Sequence, residues 1–149
     1  MIEFNNSFHA EQIAESAKAI HNKELDQCIS RSEDGELLGG AIYTNYTGRS
    51  ICMHVAGFAP GWLNKDLLWC GFHYPFRQLK LQKIIAMVPA TNYTALEFDL
   101  KLGFKEETII RDVYKEGDMI VLSMYEDDCR WLHLKPSTIM QTEYDDGWW

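Results

Sequence analysis

Five side chains sit where the sequence pattern gives them a chemical opportunity: His54, Lys65, Asn92, Tyr93 and Asp99. His54 lies inside an apolar strand pattern and carries the group that exchanges a proton near neutrality, which suits a general base. A lone strand histidine is more often structural, so both roles stand; Glu36 and His73 rank behind it as bases. Asp99, in a helical pattern, is ionised and a poor acid at neutral pH unless burial raises its pKa substantially. The Tyr93 phenol is a substitute donor. Asn92 ends a loop, where its side chain can cap the next helix or reach a ligand. Lys65 follows the Pro60-Gly61 break, at the start of a helix whose unpaired N–H groups favour an anion. Asn64 or Asp66 fits a cap or first-turn residue at the same place. Cys28, Cys52, Cys70 and Cys129 contain no CxxC pair, so no metal site is expected and buried reduced thiols are.

The elements that must position these groups follow from periodicity. Residues 8–20 place Ile13, Ala17 and Ile20 at helical spacing with Ser7 as N-cap, and residues 23–27 fit a helical turn. Residues 28–32, 37–46 and 50–59 read as strands, with Glu33-Asp34-Gly35 as a turn between the first two. Gly39 and Gly40 predict a bulge or a close backbone approach. Residues 63–80 form a long helix in which Pro75 imposes a kink or a stop near Tyr74. A short buried strand at 83–88 precedes the helix over 94–101, and 106–114 with 119–125 make a hairpin. Residues 1–134 form one domain; 135–149 form a tail ending in the acidic, aromatic EYDDGWW. Its adjacent Trp148 and Trp149 suit docking on the domain or on a partner.

From Val88 to Phe104 the chain reads VPATNYTALEFDLKLGF. A strand end, an asparagine loop, a short helix and Leu102-Gly103-Phe104 in this order resemble the second half of the acyl-CoA site of the GNAT N-acetyltransferase superfamily. The resemblance implies an α/β (α+β) fold, a mixed, mostly antiparallel sheet flanked by helices. It also implies acetyl-CoA as cosubstrate and an amine acceptor. Acetyl-CoA would lie along Phe58, Ala59, Trp62, Asn64 and Lys65 on one side and Asn92, Ala95 and Phe98 on the other. His54, Tyr93 and Asp99 would supply proton transfer. The family's diphosphate loop, Q/R-x-x-G-x-G/A, maps onto Leu63, Asp66 and Leu68, so a carboxylate replaces the first glycine. The usual acid, a tyrosine four residues before the LGF glycine, is Asp99 here. His73-Tyr74-Pro75-Phe76-Arg77-Gln78-Leu79, Glu106-Glu107, Gly117-Asp118 and Cys129-Arg130-Trp131-Leu132 further resemble a GNAT-like subgroup encoded by phages and prophages. Together these motifs span residues 37–132.

With 14 Lys and Arg against 22 Asp and Glu, the net charge of −8 repels nucleic-acid backbones. No apolar run reaches the roughly 20 residues of a membrane span, and the N-terminus lacks a signal-peptide pattern. The expected setting is the cytoplasm of an infected bacterium, or a virion. Two functions follow: an N-acetyltransferase, or a catalytically silent GNAT-fold component that binds a phage or host protein through its tail.

Overall fold

The computed structural model describes residues 1–137. Seven strands form one sheet in the order β1-β2-β3-β4-β5-β7-β6. They are β1 (Ile2–Phe4), β2 (Gln27–Glu33), β3 (Glu36–Thr44), β4 (Ser50–Gly57), β5 (Lys83–Pro89), β6 (Lys105–Tyr114) and β7 (Gly117–Tyr125). Every pairing is antiparallel except β4 with β5. Helices α1 (Ser7–Ser16), α2 (Lys65–His73) and α3 (Tyr93–Leu102) complete the architecture, as the sequence predicts. No helix among the described residues is long and apolar enough to cross a membrane.

Alternation along the strands sorts side chains onto two faces. Cys28, Ile42 and Ala56 meet Ala10, Ile13 and Ala14 of α1 on one face. Ile29, Tyr43, Met53, Ile84 and Leu122 meet Leu67, Cys70 and Phe72 of α2 on the other. All four cysteines are buried and none is in a disulfide.

Several boundaries differ from the sequence reading. Asn6, not Ser7, caps α1, with its side chain accepting from the His9 N–H at 3.1 Å. The helix stops at Ser16, and Lys18 turns left-handed at φ 55°. Residues 23–25 make a turn rather than helix, and Gln27 already pairs with Tyr43 in the sheet. β1 is too short for alternation to reveal; its pairing with β2 holds it, helped by Met1 N donating to Ser32 O at 2.7 Å.

Pro75 acts as predicted, by a specific route. α2 ends at His73 and the chain continues as one π-turn over Tyr74–Gln78, where Leu79 N donates to Tyr74 O. Pro75 has no N–H to offer Gly71, one turn back. The Tyr43 hydroxyl donates to that Gly71 carbonyl instead, at 2.6 Å, so a buried acceptor stays satisfied. α3 is closed by Gly103 at φ 111°, whose N–H returns to Asp99 and Leu100 carbonyls. Arg130 donates to Lys101 O and Trp131 Nε1 to Leu102 O, so the Cys129-Arg130-Trp131-Leu132 motif clamps the C-terminal end of α3.

Candidate functional site

β4 and β5 run parallel, yet only Ser50–Lys83, Ile51–Ile84 and Cys52–Ile85 are paired. Beyond them, β4 stays bonded to β3 as far as Gly57, and β5 to β7 as far as Pro89. The two strands therefore part, and their inner edges have no strand partner along the divergence. The wedge between them is a cleft of about 330 Å³. His54 and Ala56 of β4, Met87 of β5, and Asn92, Phe98 and Asp99 at α3 line it.

His54 is placed by the β3–β4 register, opposite Ile42, with Nε2 3.0 Å from Thr44 Oγ1. Burial depresses its pKa below the ordinary 6.5, with the Asp26 carboxylate acting weakly in the opposite sense. The imidazole is thus neutral at pH 7. Asp99 is 6% exposed, and its carboxyl has no hydrogen-bond partner among the described residues. Desolvation pushes its pKa up to about 7, so much of it holds a proton at neutrality. Burial supplies what the sequence alone could not promise for this residue.

Trp62 bridges the arms of the wedge by stacking on Phe98, with ring centroids 5.7 Å apart. Its indole lies in a niche made by two glycines. A Cβ on Gly57 would stand 2.0 Å from Trp62 Nε1, and one on Gly39 2.4 Å from Cε3. Gly39 is therefore the close approach that its position in a strand predicts. The Arg31 guanidinium donates to the Gly61 and Trp62 carbonyls at 2.8 and 3.0 Å, holding the loop before α2 in place.

Of the residues singled out from the sequence, the cleft gathers His54, Trp62, Asn92, Ala95, Phe98 and Asp99. Phe58, Ala59, Asn64, Lys65 and Tyr93 do not line it. Tyr93, the first residue of α3, is 76% exposed, so of the two donor candidates only Asp99 lies in the wedge. Asn64 caps α2, its Oδ1 accepting from Leu67 N at 2.9 Å, and Asn92 caps α3 in the same way, accepting from Ala95 N at 3.2 Å. Lys65 is exposed. Asp66 is held by the start of the tail: Ser137 donates to its two carboxylate oxygens through N and Oγ, each at 2.8 Å. Trp148 and Trp149 lie outside the described residues.

Sequence reasoning passed over a second, wider cavity of about 880 Å³ that meets the cleft at His54, Ala17 and Met87. Asp26, Tyr46, Tyr74 and Tyr114 are among its walls. The pairing of 37–46 with 50–59 could have linked Thr44 to His54. Asp26 and Tyr114 come from distant elements, and no local spacing announces them.

No family profile and no curated protein sequence matches the chain. Solved structures do. An acetyltransferase of the GNAT family from Bacillus anthracis superposes with a TM-score of 0.55 at 14% identity, over 83% of this chain and 86% of that one. Ard1 from Thermoplasma volcanium gives 0.63 at 14% identity, over 84% and 96%. A chimera of the spermidine N-acetyltransferase SpeG from Vibrio cholerae and hSSAT gives 0.58 at 19% identity, over 83% and 78%. The likeness establishes the fold, the mixed sheet of GNAT acetyltransferases with its helices.

Proposed function

We propose that this chain is an acetyl-CoA-dependent N-acetyltransferase, encoded by a phage or prophage and acting in the cytoplasm of the infected bacterium. One observation carries the reading. The wedge between the parted strands contains a neutral imidazole and a carboxyl that keeps about half its protons at neutral pH, the base and the acid that acyl transfer to an amine requires.

Acetyl-CoA would supply the acyl group as a thioester. The wedge suits its acyl arm: the walls are largely apolar, the strand edges are unpaired, and a buried carboxyl without a partner faces in. The diphosphate end is served less well, because Asn64 already takes the Leu67 N–H and Asp66 places a carboxylate in the first turn of α2. Lys65 is the cation there. When His54 Nε2–H donates to Thr44 Oγ1, Nδ1 is the lone pair that accepts the proton leaving the amine, directly or through water. Asp99 delivers a proton to the departing sulfur. Free N–H groups on the inner edge of β4 are placed to stabilise negative charge on the carbonyl oxygen.

Calorimetry with acetyl-CoA tests the reading. Micromolar affinity, about −8 kcal/mol, is expected; no heat at millimolar acetyl-CoA would overturn it. His54→Gln should retain that affinity and lower kcat by roughly 10²–10⁴-fold.

A second reading is favoured by the Ser137–Asp66 contact, which brings the tail against the N-terminal turn of α2. On this reading the chain is a catalytically silent virion or host-interaction component that binds through its tail. Calorimetric silence with acetyl-CoA, combined with loss of assembly on removing residues 137–149, would establish it.

A further inference from the structure

We infer that the second cavity is the acceptor subsite and that it selects a monocationic amine with an apolar or aromatic body, its ammonium held by Asp26 beside His54. The inference rests on the acetyltransferase reading and adds the substrate class. Three observations carry it.

The first is continuity. The 880 Å³ cavity and the wedge share Ala17, His54 and Met87, and of these His54 alone can exchange a proton. An amine lying in the cavity therefore meets the base at the place where the two spaces join.

The second is a built carboxylate. The Asp26 side chain is 9% exposed. Its Oδ2 accepts from Asn22 N at 2.6 Å and lies 3.7 Å from His21 Nδ1, while Oδ1 has no partner among the described residues. Asp26 also acts electrostatically on His54. A cation held at Asp26 thus sits within the field of the base that must receive its proton, and Asp26 stabilises the imidazolium that results. The ammonium first gives one proton to His54, which passes it to water, so the amine attacks with a free lone pair. Its second proton goes to His54 as the C–N bond forms and C–S breaks, and Asp99 protonates the departing sulfur.

The third is the composition of the wall. Tyr46, Tyr74 and Tyr114 present aromatic surface, and Ile51, Leu79 and Met119 present aliphatic surface. Aromatic rings attract a desolvated cation, and the apolar wall rewards an uncharged body. Asp26 is the single acidic residue of the wall, and Lys18 at the exposed rim is its single basic one among the described residues. A second ammonium finds no carboxylate and meets Lys18, which disfavours polyamines. A carboxylate or phosphate beside the amine meets Asp26, which disfavours amino acids and sugar phosphates.

The test measures acetyl transfer by the full chain to phenethylamine, spermidine, phenylalanine and glucosamine 6-phosphate. Phenethylamine should exceed each of the others by at least about tenfold in kcat/KM. Asp26→Asn, which still accepts from Asn22 N, should raise KM for phenethylamine about tenfold or more and lower kcat as the His54 imidazolium loses its counter-charge, with acetyl-CoA affinity little changed. Tyr46→Ala, at a residue 61% exposed, should raise the same KM several-fold without a folding defect. Preference for another amine in the panel, or an unmoved KM in both variants, overturns the inference. Titrating phenethylamine by NMR without acetyl-CoA separates the two claims. Amine binding without acetyl-CoA binding would leave this site standing and sink the acetyltransferase reading. Acetyl-CoA binding with no amine binding would sink this inference alone.

Discussion

Replacing Asp99 with asparagine should make the protein more stable and less active, with a pH dependence that identifies the cause. The side chain is buried on α3, and burial raises its pKa from the usual 3.8 to about 7. At ~1.4 kcal/mol per pH unit, that rise amounts to about 4 kcal/mol of folding free energy. The sign follows from linkage. Below pH 3.8 the carboxyl is neutral in both folded and unfolded chains and costs nothing. Between 3.8 and about 7 the unfolded chain ionises while the folded one resists, so stability falls as the pH rises. Above 7 the full penalty is present. Asparagine never ionises, so Asp99→Asn should match the wild type near pH 3.5 and exceed it by a few kcal/mol at pH 8. Urea unfolding of both proteins at half-unit steps from pH 3.5 to 8.5 measures the difference directly. A difference that stays flat with pH would mean that the carboxylate is solvated in the folded chain, and both its pKa and its role as acid would fall with it. Turnover should move the opposite way, because asparagine has no carboxyl proton to give the departing sulfur.

The kcat profile of the wild type should rise through a pH below 6.5 as His54 becomes neutral and fall above about 7 as Asp99 ionises; a rate still climbing at pH 8 would remove Asp99 as acid. Gly57→Ala should drive the Trp62 indole from its niche and off Phe98, costing about 1–3 kcal/mol. An unchanged melting temperature and tryptophan emission would contradict that packing. Asn92→Ala should lose about 1 kcal/mol of stability as the α3 cap goes, whereas Asn92→Ser should keep most of it. If the serine variant then binds acetyl-CoA as tightly as wild type, the Asn92 side chain is a cap and nothing more.

What could be read from the chain itself was mostly local. Leu102-Gly103-Phe104 announces a helix end because a left-handed glycine must follow the last periodic residue, and Gly103 at φ 111° fills that place. Pro75 announces a break for an equally local reason, the missing N–H. The fate of the freed Gly71 carbonyl depended on Tyr43, 28 residues away, and was illegible. The same division holds at the site. His54, Asn92 and Asp99 could be nominated from their types and positions, but the raised pKa of Asp99 arises from burial that only the folded sheet provides. Tyr93, one residue past the Asn92 cap, stood as the substitute donor on paper and is largely exposed in fact. Asp26 is the clearest loss: a carboxylate in a turn reads as solvent-facing until β2 and β4 bring it near His54.

The three residue pairs that join β4 to β5 have a mechanical consequence. They are a short hinge between two half-sheets, and α2 is the bolt beneath it, packing against strands of both halves through one shared core. Phe72, 2% exposed, belongs to that shared core and is absent from the walls of the wedge, so a smaller side chain there should loosen the hold on both half-sheets at once without removing any group from the gap.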